Sequence, residues 1–500
     1  MQVEPSWRRH APYLGAILLV VCLRCIGLGV YPQIEADEGG WPLSVREWVE
    51  TGTRTFDFYM APGYHWLLGI PYRLFGSSHS VGRPVAALAS LFGLWLFYRL
   101  VRRQTDETVA FWATLLLGTS YPAVLIDRRA FMEPLQLVIM FALCLAATGP
   151  KRSAPQYLLV GGLTCLLLLT KATGVFLLPA LVLATFWSPD VGRVAQPHRL
   201  RLMVAMAAGA LSAAGVFYWL YLGDPSTFLA GWTNDLTKVA NVPGLDQGNS
   251  ARFRFSPLSI EATLRWHASY EPVLFGLSLL GFLKALTDGR HGLMGAWLTM
   301  GGLFFFLQVY IQANHRALLF PPLCYFCATL LCELDGLARR AVPLPSVSWA
   351  RAALLVIVLY SSGRLVGGWA SARVADAEAI AWLKARTNAQ STIVAAPYVL
   401  MRLGGHPISF FRLGAPYVPT PAALRQWRPD WLVTETREWQ HHILLSAGSL
   451  APLDQALSEC CEVAYQTPAA TVYRVKKASA AKAAAVVPPA QSPEPASADR

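Results

Sequence analysis

Apolar runs long enough to cross a bilayer recur through most of this chain, and that recurrence leaves few folds open to it. Runs of about 18–22 residues match the length an α-helix needs to span a hydrocarbon core of roughly 30 Å. They fall near residues 11–31, 80–101, 108–125, 131–149, 156–171, 174–188, 200–222, 270–286, 292–312, 317–334 and 352–369. Inside lipid the backbone must satisfy its own hydrogen bonds, which only helices and closed barrels do, and no alternating strand pattern is present. Only 14% of the 500 residues are charged and 54% are hydrophobic, whereas a soluble domain carries about 25% charge. The mean hydropathy is +0.38. The expected fold is a polytopic α-helical membrane protein with about eleven transmembrane helices.

The net charge of +12 does not point to nucleic acid, because the cations lie in short groups between apolar runs: Arg8-Arg9, Arg102-Arg103, Lys151-Arg152, Arg339-Arg340. With the N-terminus inside and alternation at every run, these groups all fall on the inner side, as the positive-inside rule requires. Residues 32–79 and 223–269 then become external loops, and the chain after about 370 is external. The first run follows a basic start but lacks a small-x-small cleavage site, so it reads as a retained signal anchor. Segment 60–76 is apolar but short and broken by Pro and Gly, which suits a re-entrant or interfacial piece of the first external loop. The expected location is an integral, multi-pass membrane protein, in the inner membrane if the cell is bacterial, with its active site and C-terminal domain extracytoplasmic. The two CxxC spacings, Cys22/Cys25 and Cys324/Cys327, sit inside apolar runs without the four convergent ligands of a zinc site, and read as packing.

The boundaries follow from composition. Residues 1–370 form the transmembrane part, and 371–477 read as a small extracytoplasmic α/β domain with an amphipathic helix, short β-rich runs and a possible hairpin in "EVAYQTPAATVYRV". Residues 478–500, rich in Ala, Pro and Ser, read as a disordered tail.

Four polar sites resist a purely structural explanation. "YPQIEADEGGW" (31–41) places Glu35, Asp37 and Glu38 at the lip of the first run, where Asp37 also suits an N-cap. "DRRAFMEPLQL" (127–137) sets Glu133 inside the fourth run, an expensive position that a structural pair with a neighbouring Arg would also explain. "LLLLTKATGVFLLP" (166–179) sets Lys171 at the external junction of two runs, where lysines also snorkel. "QANHRALLFPP" (312–322) sets His315 and Arg316 at an external helix end, against the positive-inside trend. Carboxylates able to take a proton, opposed to cations able to hold a phosphate, are the parts needed to displace a phosphate leaving group. At a bilayer surface, the natural ligand is a lipid-linked phosphate.

These motifs resemble the lipid-dependent, multi-spanning glycosyltransferases of the GT-C superfamily, especially the protein O-mannosyltransferase and aminoarabinose transferase branch, glycosyltransferase family 39. The resemblance covers about residues 10–340. The family's acidic pair matches Asp37 and Glu38, its His/Lys-Pro-Pro-Leu-Tyr-Tyr-Trp motif looks like "MAPGYHW" (60–66), and its Arg-x-Pro-x-Ala-Leu motif is similar to "GRPVAAL" (82–88). "RRAFMEPL", "LTKATG" and "HRALLFPP" resemble three further family motifs in the same order.

The resemblance implies an inverting glycosyltransferase that moves a sugar from a polyprenyl-phosphate donor to a hydroxyl or phosphate on a lipid, glycan or protein at the outer face. It implies Asp37 as general base with Glu38 assisting, and Glu133 and His65 lining the acceptor pocket. Lys171, Arg316, His315 and Arg54 would meet the donor phosphate, and Glu38 and Glu133 are the candidates should a divalent metal take part. The chain departs from the family at Met60 and Ala61, where relatives have a basic residue and a proline, and at Ala317, where they often have Tyr. The competing reading is a transporter or flippase of a lipid-linked intermediate, which would place its charges near the midplane and often carries inverted repeats.

Overall fold

The computed structural model describes residues 6–29, 36–52, 62–149, 153–187, 196–220, 257–288, 291–306, 313–341, 348–371, 377–388, 391–395, 399, 403, 421–435, 451–468 and 470–476. Two compact units divide the chain, Met1–Arg373 and Val374–Arg500.

The first unit is helical. Its elements are α1 (Ser6–Cys25), α2 (Ala36–Thr51), α3 (Pro62–Phe75), α4 (His79–Gln104), α5 (Glu107–Thr119), α6 (Tyr121–Asp127), α7 (Glu133–Ala147) and α8 (Ala154–Thr170). After a 3-10 turn at Ala172–Phe176 come α9 (Leu177–Trp187), α10 (Gln196–Leu220), α11 (Pro257–Tyr270), α12 (Pro272–Asp288) and α13 (Gly292–Phe306). The short α14 (Ala313–Arg316) and a 3-10 turn at Ala317–Leu319 lead into α15 (Phe320–Ala341) and α16 (Trp349–Ser371). Helix occupies all eleven expected runs, and among the described residues four helices are long and apolar enough to cross a membrane alone, or up to six if each bent pair counts as one span.

One bent pair shows how this architecture tolerates a broken helix. α5 and α6 meet at Ser120 with a bend of 65°. A break inside an apolar bundle leaves carbonyls at one end and amides at the other without partners. Arg24, fully buried on α1, donates to the Leu117 carbonyl (3.3 Å) and the Gly118 carbonyl at the end of α5, and to Ser90 Oγ on α4 (3.0 Å). Across the break, the Glu271 carboxylate accepts the Tyr121 amide at the start of α6 (2.8 Å) and the Ser361 hydroxyl of α16 (2.8 and 2.9 Å). Arg24 also pairs with Asp127 at 2.8 Å. Asp127 is 7% exposed and part of this hub.

Helix contacts elsewhere rely on small residues. A Cβ at Gly209 of α10 would lie 2.2 Å from the Gly161 carbonyl of α8, and one at Gly161 would lie 3.0 Å from the Ala205 carbonyl. Close approach of this kind lets backbones pack where lipid offers no hydrophobic drive. Gly209→Val is expected to lower the yield of folded, monodisperse protein severalfold, whereas Gly162→Ala, with open space around its Cβ position, leaves it unchanged. Size-exclusion chromatography of the detergent-solubilised variants reads this directly.

The second unit holds a four-stranded sheet in the order β1-β2-β4-β3, with β1 Ile393–Val394, β2 Trp431–Glu435, β3 Cys461–Gln466 and β4 Ala470–Val475. β1 and β2 run parallel, while β2/β4 and β3/β4 are antiparallel, β3 and β4 closing a hairpin with a bulge between Val463 and Tyr465. Among the described residues, the helices that accompany it include α17 (Ala377–Lys384), α18 (Pro421–Trp427) and α19 (Ala451–Cys460). Val394, Leu424, Leu432, Leu453, Ala456 and Val475 are among the residues of its core. Cys460 and Cys461 are both buried with free thiols.

Candidate active site

Three of the polar residues picked out by sequence, Glu133, Lys171 and His315, come together in the helical unit. α7 and α8 run antiparallel, so the start of α7, with Glu133, faces the end of α8, with Lys171. Lys171 breaks the chain between α8 and the following 3-10 turn, with an extended backbone (φ −162°, ψ 127°). Its Nζ forms an ion pair with Glu133 Oε1. The Lys171 side chain is 8% exposed and that of Glu133 fully buried, so the lysine does not snorkel and the carboxylate pairs with it rather than with Arg128 or Arg129. Glu133 opens α7, where the helix dipole favours a negative charge. Its second oxygen, Oε2, has no hydrogen-bond partner among the described residues.

The remaining walls are brought in by the motifs around this pair. Trp41 of α2 lays its ring on Lys171, with Nζ 4.4 Å from the ring centroid, and meets Phe131 edge-on at 5.8 Å. A cation on an indole face in a desolvated place gains about 2 kcal/mol or more. Gln136 Nε2 donates to the Lys171 carbonyl (3.4 Å) and to Thr173 Oγ1 (3.2 Å), and a Cβ at Gly174 would lie 2.9 Å from that amide nitrogen. The start of α3 packs against the end of α8 so closely that a Cβ at Gly63 would meet the Leu169 carbonyl at 2.7 Å. Tyr64 donates to the Ala130 carbonyl at 2.7 Å.

Glu38 is clamped by a guanidinium. Arg83 grips both its oxygens, Nε to Oε1 at 2.6 Å and Nη2 to Oε2 at 2.8 Å, and the Ala130 amide donates to Oε1 at 3.0 Å. Arg83 also donates to the Leu28 carbonyl beyond α1. One carboxylate thus ties α2, α4 and the 128–132 loop into a single frame. Arg128 extends that frame by donating to the Leu23 and Ile26 carbonyls (2.5 and 2.7 Å), which the end of α1 leaves without helical partners.

Position 37 stands in the first turn of α2, inside the helix rather than at its N-cap, one residue before Glu38 and one turn before Trp41. The Asp37 side chain lies outside the described residues, as do Glu35, Arg54, Met60 and Ala61. His65 lies on the α2–α3 seam, where its Nε2 meets Ser44 Oγ at 2.8 Å and its ring meets Trp48 edge-on. His315 and Arg316 approach from the other side: the Ala317–Leu319 turn packs against α6, α7 and α13. Burial, with the charges of Lys171 and Arg316 nearby, holds His315 well below the ordinary imidazole range. The Arg316 guanidinium lies 5.4 Å from the Trp266 ring centroid on α11. Ala317 is buried.

The described residues do not make a metal site. They contain no group of three or more His, Cys, Asp or Glu able to hold an ion. Glu38 is held by a guanidinium and Glu133 by an ammonium, cations that would repel a divalent ion.

Arg83, Trp41 and Gln136 were not among the expected site residues, although Arg83 lies in "GRPVAAL". Trp41 had a signal in its spacing, four residues after Asp37 on what proves to be a helix, where i and i+4 share a face.

The buried Lys171 ammonium, paired with Glu133, lies against Trp41 of α2. Residues 60–219 match the family model described as Dolichyl-phosphate-mannose-protein mannosyltransferase. Among solved structures, the chain is similar to ArnT from Cupriavidus metallidurans bound to undecaprenyl phosphate, at 14% identity and a TM-score of 0.66, covering 94% of this chain and 98% of that one. It is also similar to the Archaeoglobus fulgidus oligosaccharyltransferase tethered with an acceptor peptide (13% identity, TM-score 0.53, 94% of this chain and 74% of that one). A third match is AglB from Archaeoglobus fulgidus with an inhibitory peptide and a dolichol-phosphate (14% identity, TM-score 0.52, 93% and 74%). No curated protein matches the chain by sequence. The family match covers residues 60–219, and the structural likeness shows that the chain shares the fold of these solved proteins.

Proposed function

We propose that this chain is a membrane glycosyltransferase that transfers a sugar, with inversion, from a polyprenyl-phosphate carrier to a hydroxyl or phosphate of a lipid, glycan or protein at the extracytoplasmic face. The observation that carries the reading is the buried Lys171 ammonium, held by Glu133 and Trp41 at the same end of the bundle as position 37. A buried cation at a helix break, next to a family motif, is placed to neutralise the phosphate that leaves with the lipid. The undecaprenyl phosphate and dolichol-phosphate of the structural neighbours support that class of carrier. Inversion needs the base and the leaving group on opposite faces of the anomeric carbon. Asp37 serves as the base that takes the acceptor proton, and the Glu38–Arg83 clamp fixes the helix that carries it. The outer-face assignment rests on the inner-side clustering of cations. The transporter reading gains no support from the family match or the structural neighbours.

Asp37→Asn is expected to reduce transfer at least about 100-fold, the scale of a lost general base, while the purified variant still binds undecaprenyl phosphate. Right-side-out vesicles supplied with polyprenyl-phosphate sugar, together with mass analysis of glycans and lipids from cells lacking the protein, identify sugar and acceptor. Undiminished turnover in the Asn variant would remove Asp37 as base.

A further inference from the structure

α11 carries two buried polar side chains for which the phosphate chemistry has no use. Thr263 is 1% exposed and His267 is 2% exposed. They stand four residues apart and so share one face of the helix. Neither Thr263 Oγ1 nor either ring nitrogen of His267 has a hydrogen-bond partner among the described residues. A helical threonine normally satisfies its hydroxyl on the preceding turn, and a buried polar atom left without a partner is costly enough to demand a reason. Aromatic rings surround the imidazole: Phe275 stacks on it at 5.5 Å, with Phe320 at 5.1 Å and Trp266 at 4.9 Å. Through Trp266 the cluster adjoins Arg316, and His315 beside it leaves its Nδ1 without a partner as well.

We propose that Thr263 and His267 form the subsite for hydroxyl groups of the sugar on the lipid phosphate, adjoining the cations that receive that phosphate. The proposal rests on the glycosyltransferase reading above and adds a sugar contact from a helix that none of the recognised motifs covers. A few polar groups among aromatic walls are the usual composition of a small-molecule pocket. Burial and the nearby Arg316 charge push the His267 imidazole down to about 3, so it is neutral at physiological pH. A neutral imidazole offers one donor and one acceptor, as does the threonine hydroxyl, which matches sugar hydroxyls and not a second phosphate.

The test compares bare undecaprenyl phosphate with undecaprenyl phosphate carrying a hexose or a pentose, binding each to the purified full chain in nanodiscs. The wild type is expected to bind one sugar-bearing carrier roughly tenfold more tightly than the bare carrier, on the order of one or two hydrogen bonds. Thr263→Val and His267→Phe are expected to bind the two carriers equally and to keep the affinity for the bare one. Their thermal midpoints stay level or rise, because an unpartnered polar atom has been removed. Retention of the sugar preference in both variants would overturn the proposal, as would equal wild-type affinity for bare, hexose and pentose carriers. Failure of the wild type to bind the bare carrier at all would instead sink the phosphate reading beneath it.

Discussion

Arg83→Met is expected to destabilise the helical unit by about 3–5 kcal/mol, the cost of leaving a buried carboxylate without its cation. Glu38 is fully buried and Arg83 is 3% exposed, and their bidentate geometry leaves water little access to either. The same substitution frees the Leu28 carbonyl beyond α1, so α1 loses a tie as well as α2. Adding Glu38→Gln in the same chain removes the stranded charge and is expected to restore most of the thermal midpoint. Transfer should stay low in that double variant, because the N-terminal turn of α2, which carries position 37, is no longer fixed to α4. A thermal midpoint in Arg83→Met equal to that of the wild type would show that the clamp contributes nothing. Recovery of both stability and transfer in the double variant would reduce it to packing.

The contrast between Glu38 and Glu133 shows what the sequence could and could not disclose. Hydropathy is a property of single residues summed over a window, so the positions of the apolar helices were legible. So were the charges that do not belong among them, because each is expensive in lipid wherever its partner lies. Partners are set by which helix ends meet, and no local signal encodes that. Glu133 was therefore read as a candidate without Lys171 as its counter-ion, although both residues had been singled out. Glu38 was assigned a share in the chemistry because it adjoins Asp37, whereas Arg83, 45 positions further on, takes both its oxygens. Arg24 carried the same signal as Glu133, a charge inside an apolar run, and its role emerges only with the break at Ser120 that it satisfies. His65 belonged to a motif and yet faces Ser44 on the α2–α3 seam. A motif fixes where a segment lies more firmly than where each of its side chains points.

Glu133→Gln and Lys171→Met are expected to move carrier affinity in opposite directions, which a purely structural ion pair would not do. In the structure the Lys171 ammonium is already neutralised by Glu133, so an arriving phosphate must share or displace that partner. Removing the carboxylate charge leaves a buried cation against Trp41 and a neutral amide. Affinity for bare undecaprenyl phosphate should then rise about tenfold, the scale of one charge-assisted interaction released. Lys171→Met should lower the same affinity by at least about tenfold and strand Glu133, giving a loss of stability as well. The combination Glu133→Gln/Lys171→Met separates the two effects: stability recovers because no charge is left unpaired, while carrier affinity stays low. Titrations of the purified chain in nanodiscs, with thermal midpoints alongside, read both quantities on the same samples. If Glu133→Gln weakened carrier binding as much as Lys171→Met did, the pair would be a structural unit, and the phosphate would have to be received elsewhere, with Arg316 the next candidate.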